Sequence, residues 1–515
     1  MSKTLIAARC VLLVVVGTRP LIATADDPTP ATGAAQPPAP DERPRSTMPI
    51  QSSEPIERER RHTAAEVAGN PRSGDESGRT DSIPGDSGSR RLGRIVLFVP
   101  WVVTEIAYAP IRGSLWAEER YQLEDLYYRT FYNRDRTIGL VPTASYLTGL
   151  GGTVGGKFID LDVFGQHEYL ELAAATGGQF RQDYVVKAYT GDRLGPLQLG
   201  LDADYIRLPA YQFFGIGNGD EVPLPGMPIN PIASEVAVKT HNRYREGSIA
   251  LTADLRAVTT DCAAPDGPPE LSVKRLRRCG FHLLATGQLA TVEISHSTKH
   301  PSIEEVFDRA ALVGFDHAIH HVYGELELRW DTRRRFTAWE PRDLHSVGSL
   351  ASVFGGRVDQ FNGLAGFWRY GIELQQYWRI TEGPRMIVAR LHGEGVTAPL
   401  DQIIVDELPL LGGDTFLRGY EYGRFRDRVA AVASAQYQWD LSSFLDAYVF
   451  VDVGRVYRGL DDITLSHLRL GYGVGFELHG TSSFLVEGSV ASSIDGGVVF
   501  TASFNPIFDN RTWWR

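Results

Sequence analysis

From Thr137 towards the C-terminus, apolar and polar residues alternate along the chain with a period of two. Between positions 468 and 479 the apolar series consists of Leu468, Leu470, Tyr472, Val474, Phe476 and Leu478. The alternate positions are charged or small, namely Arg469, Gly471, Gly473, Gly475, Glu477 and His479. Successive side chains of a β-strand point to opposite faces, so this pattern predicts strands with one apolar and one polar face.

The length of these alternating runs favours a membrane barrel over a soluble β-sandwich. They extend over about 10 to 14 residues, whereas soluble strands cluster near 5 or 6 and a tilted membrane strand needs about 9 to 11. We therefore predict an all-β fold, an antiparallel transmembrane β-barrel of about 16 strands over residues 137–508. Its lumen would be lined by the polar face, which carries Asp202, Asp204, Arg369, Glu373, Arg390 and Glu394.

A helical period precedes the strands. Between Ser114 and Tyr132, apolar residues recur at helical spacing among acidic and basic residues, which predicts a short amphipathic helix. We expect residues 95–136 to form a periplasmic helical lead-in that enters the barrel or lies beneath its periplasmic mouth.

The N-terminal region has the pattern of an export signal followed by a tether. A basic start, the apolar run 11–16 and the small residues of Ala23-Thr24-Ala25 predict a signal peptide over residues 1–25. Residues 26–94 are rich in Pro, Ser, Gly and charge, so they cannot bury enough apolar surface to fold, and we predict a disordered linker. The expected location is the cell outer membrane of a Gram-negative-type bacterium, with this linker in the periplasm and residues 509–515 as a C-terminal tail.

Composition and charge narrow the class of partner. The 515 residues include 53 Gly, 21 Tyr and 23 Phe, a mixture of turn-forming and aromatic residues that suits a barrel. A formal net charge of -11 argues against nucleic acid, whose binding depends on cations, so we expect outer-membrane lipid and no nucleic acid. Of the three cysteines, Cys262 and Cys279 lie in one predicted loop and could close a disulfide after export.

Candidate enzymatic and metal sites are weak. A histidine-rich stretch lies beside several acidic residues and contains His296, His300, His317, His320 and His321. Neighbouring strand residues such as His320 and His321 point to opposite faces, so they cannot converge on one zinc ion. No outward-facing His is aligned with an outward-facing Ser, as an outer-membrane phospholipase would need. We therefore predict no metal, no cofactor and no enzyme activity.

Two motifs near the C-terminus carry a family resemblance. Residues 409–420 read Pro-Leu-Leu-Gly-Gly-Asp-Thr-Phe-Leu-Arg-Gly-Tyr and form a glycine-rich loop between two strands. Residues 448–454 read Tyr-Val-Phe-Val-Asp-Val-Gly and lie on a strand. An Arg-Gly-aromatic loop followed by a Phe-x-Asp-x-Gly strand resembles the BamA/TamA-type bacterial surface antigen family of outer-membrane assembly barrels.

The resemblance implies that the loop folds back into the lumen and that its Arg418 meets Asp452. The period of two agrees, because Phe450, Asp452 and Gly454 share the face that would point inward. An Arg418–Asp452 pair shielded from water would hold the loop through charge-assisted hydrogen bonds. Gly419 would allow a tight turn and Tyr420 would pack on the wall.

Closure of a barrel requires the first strand to pair with the last, and this seam is predicted to be weak. Pro142 lies in the first strand with Gly139 nearby, and Pro506 lies near the end of the last. Each proline removes one donor from the ladder. The resemblance implies a seam that opens sideways and exposes edge strands, while proline at strand ends for ordinary steric reasons is the alternative.

The resemblance also implies a function. Such barrels aid the insertion or translocation of outer-membrane or secreted polypeptides, or of lipids, at the outer membrane. No pattern for a periplasmic POTRA domain, which family members usually carry, fits between Asp26 and Arg136, so we expect a barrel-only member. The alternative is a passive diffusion pore or surface scaffold that keeps the fold without insertase activity.

Overall fold

The computed structural model describes residues 123–219, 238–261, 278–335, 346–361, 363–380, 385–442, 445–479 and 484–504, together with Gly113 and Arg120. The predicted signal peptide, linker and C-terminal tail lie outside these ranges, as do Pro506, Cys262 and the side chain of Cys279. Within them, the predicted fold class is confirmed: 16 strands run antiparallel and close on themselves.

Each strand of the wall pairs with its neighbours in the chain. The strands are β1 (Ile138–Leu147), β2 (Gly151–Asp160), β3 (Tyr169–Gly177), β4 (Arg181–Tyr189), β5 (Leu197–Phe213), β6 (Thr240–Asp261), β7 (Arg278–Ser295), β8 (Ile319–Asp331), β9 (Ser346–Gln360), β10 (Phe367–Arg379), β11 (Arg385–Val396), β12 (Val429–Ser442), β13 (Leu445–Tyr457), β14 (Arg469–His479), β15 (Phe484–Ser493) and β16 (Val498–Phe504). The short strand Arg334–Arg335 extends the sheet after β8 and pairs with β9.

Short helices and strands lie in the connections between the wall strands. The α-helices are α1 (Leu123–Phe131) and α2 (Ile303–Val306), and the 3-10 helices are Gly178–Phe180, Arg309–Ala311, Val405–Glu407 and Leu460–Asp462. The two-residue strands Leu410–Leu411 and Phe425–Arg426 pair with each other inside the β11–β12 connection. Among the described residues, no helix has the length and apolar character needed to cross a bilayer.

The two faces of the wall differ as the period of two predicts. In β13, Phe450 and Asp452 are 5% and 0% exposed, whereas Val449 and Val451 are 39% and 37% exposed. The same contrast recurs in other strands, whose exposed apolar residues include Leu140, Val154, Leu251, Leu289, Leu326, Val353, Trp368, Trp378, Leu391, Tyr472, Val474 and Phe500. An apolar outer band with aromatic residues is the surface that a lipid bilayer requires.

The connections define two different ends of the barrel. The end that we call the loop rim carries the connections 214–239, 296–318, 397–428 and 458–468. At the other end, the terminal rim, β1 begins and β16 ends. At the loop rim, segments 303–315 and 398–408 pack together over a buried apolar cluster that includes Ile303, Phe307, Phe315, Ile403, Ile404 and Leu408.

Helix α1 packs against the wall next to the closure point. Tyr127 and Tyr128 are buried in a cluster with Val141 of β1 and Ile159 of β2. Residues from β14, β15 and β16 pack against the same cluster, namely Leu478, Val486 and Phe504. The predicted amphipathic helix is therefore present over its described part, and it contacts strands on both sides of the junction between β1 and β16.

Candidate functional site: the lumen loop and the seam

The connection 397–428, which we call the lumen loop, enters the barrel and is held by a buried ion pair. Arg418 donates from Nε to Oδ2 of Asp452 and from Nη2 to Oδ1, each at 2.9 Å. The backbone N–H of Arg418 donates to Oδ2 of the same carboxylate at 2.8 Å. The structure thus brings together the two residues that the motifs single out, in a two-pronged geometry that charge-assisted bonds favour.

Further contacts fix the guanidinium of Arg418 on the wall. Its Nη1 donates to Oε1 of Gln436 in β12 at 2.9 Å. Its Cζ lies 3.6 Å from the ring centroid of Phe450, within the range of a cation–π interaction. The Arg418 and Asp452 side chains are 9% and 0% exposed, so the pair is screened from water. Loss of either partner would leave an uncompensated buried charge.

Glycines let the loop backbone lie directly on the wall. Gly419 has φ +101°, and a Cβ there would lie 2.2 Å from the Ser492 carbonyl oxygen. A Cβ on Gly471 of β14 would lie 1.7 Å from the Arg418 carbonyl oxygen. At Gly454 a Cβ would lie 3.2 Å from Leu411 Cδ1. Larger residues at the first two positions would force the loop away from the strands.

Tyr420 completes the predicted set. Its hydroxyl donates to Oδ2 of Asp495, in the turn between β15 and β16, at 2.9 Å. Its ring packs on Phe425 with centroids 5.0 Å apart. The turn of the last hairpin is thereby connected to the lumen loop.

The tip of the loop rests on a second group of wall charges. Arg390 and Glu373 form an ion pair, Nε to Oε1, at 2.6 Å, and His392 Nδ1 lies 2.8 Å from Glu373 Oε2. Arg390 Nη1 donates to the carbonyl oxygen of Thr415 at 3.2 Å. The ring of Phe416 lies 4.4 Å from that of His392. Of the residues predicted to line the lumen, Arg390 thus contacts the loop, and so does Arg369, whose Nη1 lies 3.1 Å from Oε2 of Glu407.

A third anchor was missed by sequence reasoning. Arg426 is fully buried, pairs with Asp406 and donates to the hydroxyl of Tyr211 in β5. The carbonyl oxygen of Arg426 accepts from the N–H of Gly217 at 2.7 Å. The sequence signal was a further arginine, eight residues after Arg418, in a loop already expected to enter the lumen. Neither its partners nor its burial follow from that spacing.

The barrel closes by pairing β1 with β16. Among the described residues, Ala144–Leu147 pair with Thr501–Phe504, and β1 pairs with β2 along its whole length. The backbone N–H of Thr148 adds a hydrogen bond to the carbonyl oxygen of Phe500 at 3.0 Å, and Pro142 lies opposite Gly156 of β2. Gly139 lies beneath the Tyr132 ring, because a Cβ there would lie 2.7 Å from Tyr132 Cε1.

The histidine-rich stretch forms local ion pairs. His296 pairs with Glu304, and His300 Nδ1 lies 2.8 Å from Glu305 Oε1. His320 is exposed next to Thr291, while its neighbour His321 is buried. Within the part of the chain that the structure describes, no three His, Cys, Asp or Glu residues are placed to hold a metal ion.

Residues 346–485 match the family model of the Omp85 superfamily domain. Solved structures similar to this chain include BamA from Haemophilus ducreyi lacking POTRA domains 1–3, at 12% identity and a TM-score of 0.45, covering 72% of this chain and 70% of that one. CdiB from Acinetobacter baumannii matches at 11% identity and a TM-score of 0.43, and CdiB from Escherichia coli at 10% and 0.44, each covering 71% of this chain. The chain spans 59% and 62% of those two CdiB chains. No curated protein matches the chain.

Proposed function

We propose that this chain, whose residues 346–485 match the Omp85 superfamily domain, is an outer-membrane β-barrel that aids the insertion or translocation of polypeptides at that membrane. The observation that carries the proposal is the Arg418–Asp452 pair, which holds the lumen loop inside the barrel and lies within the region that matches the superfamily's domain. The clients would be unfolded outer-membrane or secreted polypeptides.

The proposed mechanism uses the edges of the seam. When β1 and β16 separate, each exposes a row of unpaired N–H and C=O groups, which can template an incoming strand. Opening the seam breaks the backbone hydrogen bonds between β1 and β16, each of which is worth a net of about 0.5–1.5 kcal/mol. This activity requires no covalent step and no cofactor. Lipids are second candidate clients, because an open seam also joins the bilayer to the lumen.

The lumen loop counts against the rival function of a passive pore. Arg418, Arg390 and Arg426 fix the loop to several strands of the wall. A loop held by buried ion pairs occupies space that a diffusion channel would need. For orientation we propose that the loop rim faces the cell exterior, because such barrels have longer loops on that side. The N-terminal linker would then lie in the periplasm.

The test is a disulfide that locks the seam. Ser145 and Ser503 are register partners across it, so Ser145→Cys with Ser503→Cys can be oxidised to join β1 to β16. The matched control is Thr252→Cys with Thr286→Cys, which joins β6 to β7 inside the continuous wall. We expect oxidation to stop acceleration of the folding of a second barrel into liposomes in the seam variant alone, with recovery on reduction.

Two results would contradict the proposal. Equal acceleration by the oxidised and reduced seam variants would show that the seam does not open during the activity. Steady, wide conductance of the purified wild-type protein in a planar bilayer, without acceleration of folding, would instead support the pore.

A further inference from the structure

Three arginines form a basic group on the outer face of the wall near the loop rim. Arg207 in β5 and Arg245 in β6 are direct register partners, and Arg243 lies two residues before Arg245 on the same face. Their outward direction follows from Tyr205, two residues before Arg207, whose ring stacks on the exposed Tyr184 at 6.0 Å. We call Arg207, Arg243 and Arg245 the arginine group.

The arginine group has a local excess of positive charge. Glu293 of β7 lies beside Arg245, with Oε2 at 3.4 Å from Nη1. Among the described residues, Arg207 and Arg243 form no ion pair, and Nε of both Arg207 and Arg245 lacks a hydrogen-bond partner there. Like charges directly opposite each other on neighbouring strands are destabilising, so this arrangement costs the fold stability unless an anion binds. This local positive charge contrasts with the formal net charge of -11 of the whole chain.

An apolar groove lies next to the arginine group, one step further from the loop rim. It has a volume of about 600 Å³, and its lining includes Tyr205, Gly247, Ile249 and Leu289 as well as the polar residues Thr291 and His320. Gly247 is two residues after Arg245 on the outer face, and a Cβ there would lie 3.7 Å from Tyr205 Cδ2. Because Gly247 has no side chain, its backbone forms the floor of the groove.

The chemistry of the two parts matches one kind of occupant. Guanidinium groups bind phosphate oxygens in a two-pronged geometry. Stacked tyrosines such as Tyr184 and Tyr205 are typical of the interface between hydrocarbon and headgroups. A molecule with a phosphate at the level of the arginine group and a hydrocarbon chain in the groove would satisfy both.

We propose that the outer wall over β5–β7 binds a phosphorylated lipid of the adjacent leaflet. Its phosphate is held by the arginine group, and one acyl chain lies over Gly247 against Tyr205 and Leu289. The site faces the bilayer, so it is distinct from the lumen loop and from the seam, and it does not depend on the insertase function.

The test compares lipids by native mass spectrometry of the full chain in mild detergent. The probes are dipalmitoyl phosphatidylglycerol and dipalmitoylglycerol, which differ in the phosphate-containing headgroup. We expect the wild type to retain the phosphorylated lipid in preference, and the variant R207Q/R243Q/R245Q to retain about tenfold less of it. The matched control is Arg357→Gln, because Arg357 faces outward near the same rim but is paired with Asp359 at 3.0 Å.

A second variant tests the groove. Gly247→Leu fits in the space above Tyr205 and should lower retention of the dipalmitoyl lipid while leaving a dihexanoyl analogue unaffected. All variants are first checked for heat-resistant migration in a gel. If the triple variant fails to fold, a photo-activatable phosphatidylglycerol on the wild type replaces it, with cross-links expected at Tyr205 or Leu289.

Several results would overturn the proposal. Equal retention of phosphatidylglycerol and dipalmitoylglycerol would mean that phosphate is not recognised. Full displacement of the lipid by inorganic phosphate would indicate a site for a free anion. Undiminished retention by the folded triple variant, or cross-links spread evenly around the wall, would mean that the arginine group is not the site.

Discussion

Removal of Arg418 or Asp452 should release the lumen loop, and the two effects should not add. Asp452 is 0% exposed and accepts three hydrogen bonds from Arg418. Breaking a buried ion pair from one side costs about 3–5 kcal/mol, because the remaining charge is left without compensation. We expect Arg418→Ala and Asp452→Ala each to lower the free energy of unfolding by about that amount.

The double variant tests whether Arg418 and Asp452 are partners in one ion pair. With both charges removed, no uncompensated charge remains, so the Arg418→Ala/Asp452→Ala protein should lose about as much stability as one single variant. The assay is urea unfolding in detergent micelles, with heat-resistant migration in a gel as a second readout. The control is Arg357→Ala, whose partner side chain is 63% exposed and whose loss should cost about 0–1 kcal/mol. A double variant that loses the sum of the single effects would refute the pairing.

Three further predictions concern other parts of the barrel. Gly471→Ala should lower the free energy of unfolding by about 1–3 kcal/mol or more and raise protease cleavage of the lumen loop, whereas Gly287→Ala, with open space at its Cβ, should do neither. Burial raises the pKa of Glu168, but backbone N–H groups and Arg193 outweigh it and lower the pKa to about 2. The ionised carboxylate therefore stabilises the 161–168 connection above about pH 4.5, and this stabilisation should be lost as the pH falls towards 2. Proteolysis of the connection at different pH values measures the loss. The Glu168→Gln variant is the control, because it should lack the pH dependence. Replacing Tyr127 and Tyr128 by Ala should lower the free energy of unfolding by up to about 3–5 kcal/mol for each ring. It should also raise deuterium uptake in β1 and β16 more than in β6 and β7. A uniform rise in uptake would contradict a role of these rings at the seam.

The period of two was sufficient to predict the faces of the wall. It placed Phe450, Asp452 and Gly454 together, and the structure has them on the inner face because successive strand side chains must alternate. The pairing of Asp452 with Arg418 was predicted from the family resemblance, because Arg418 lies in a loop where no alternation of apolar and polar residues indicates a direction. Burial of Arg418 depends on the close approach that Gly419 and Gly471 allow.

Contacts that depend on strand register could not be predicted from the sequence. Arg207 and Arg245 are far apart in the chain, and only the offset between β5 and β6 makes them neighbours. A shift of one residue would turn every side chain to the other face, and long connections leave that choice to the whole barrel. The Arg426–Asp406 pair could not be predicted for a related reason, because both residues lie in short elements of the long β11–β12 connection, which has no repeating pattern.

The position of α1 has a mechanical consequence. Its aromatic side chains pack with residues of β1 and β2 on one flank and of β14 to β16 on the other, so it bridges the two edges that separate in the proposed mechanism. Under that proposal, a pull on the polypeptide preceding Leu123 would be transmitted through this helix to the junction. Engagement of the N-terminal segment by another protein would then change how readily the seam opens.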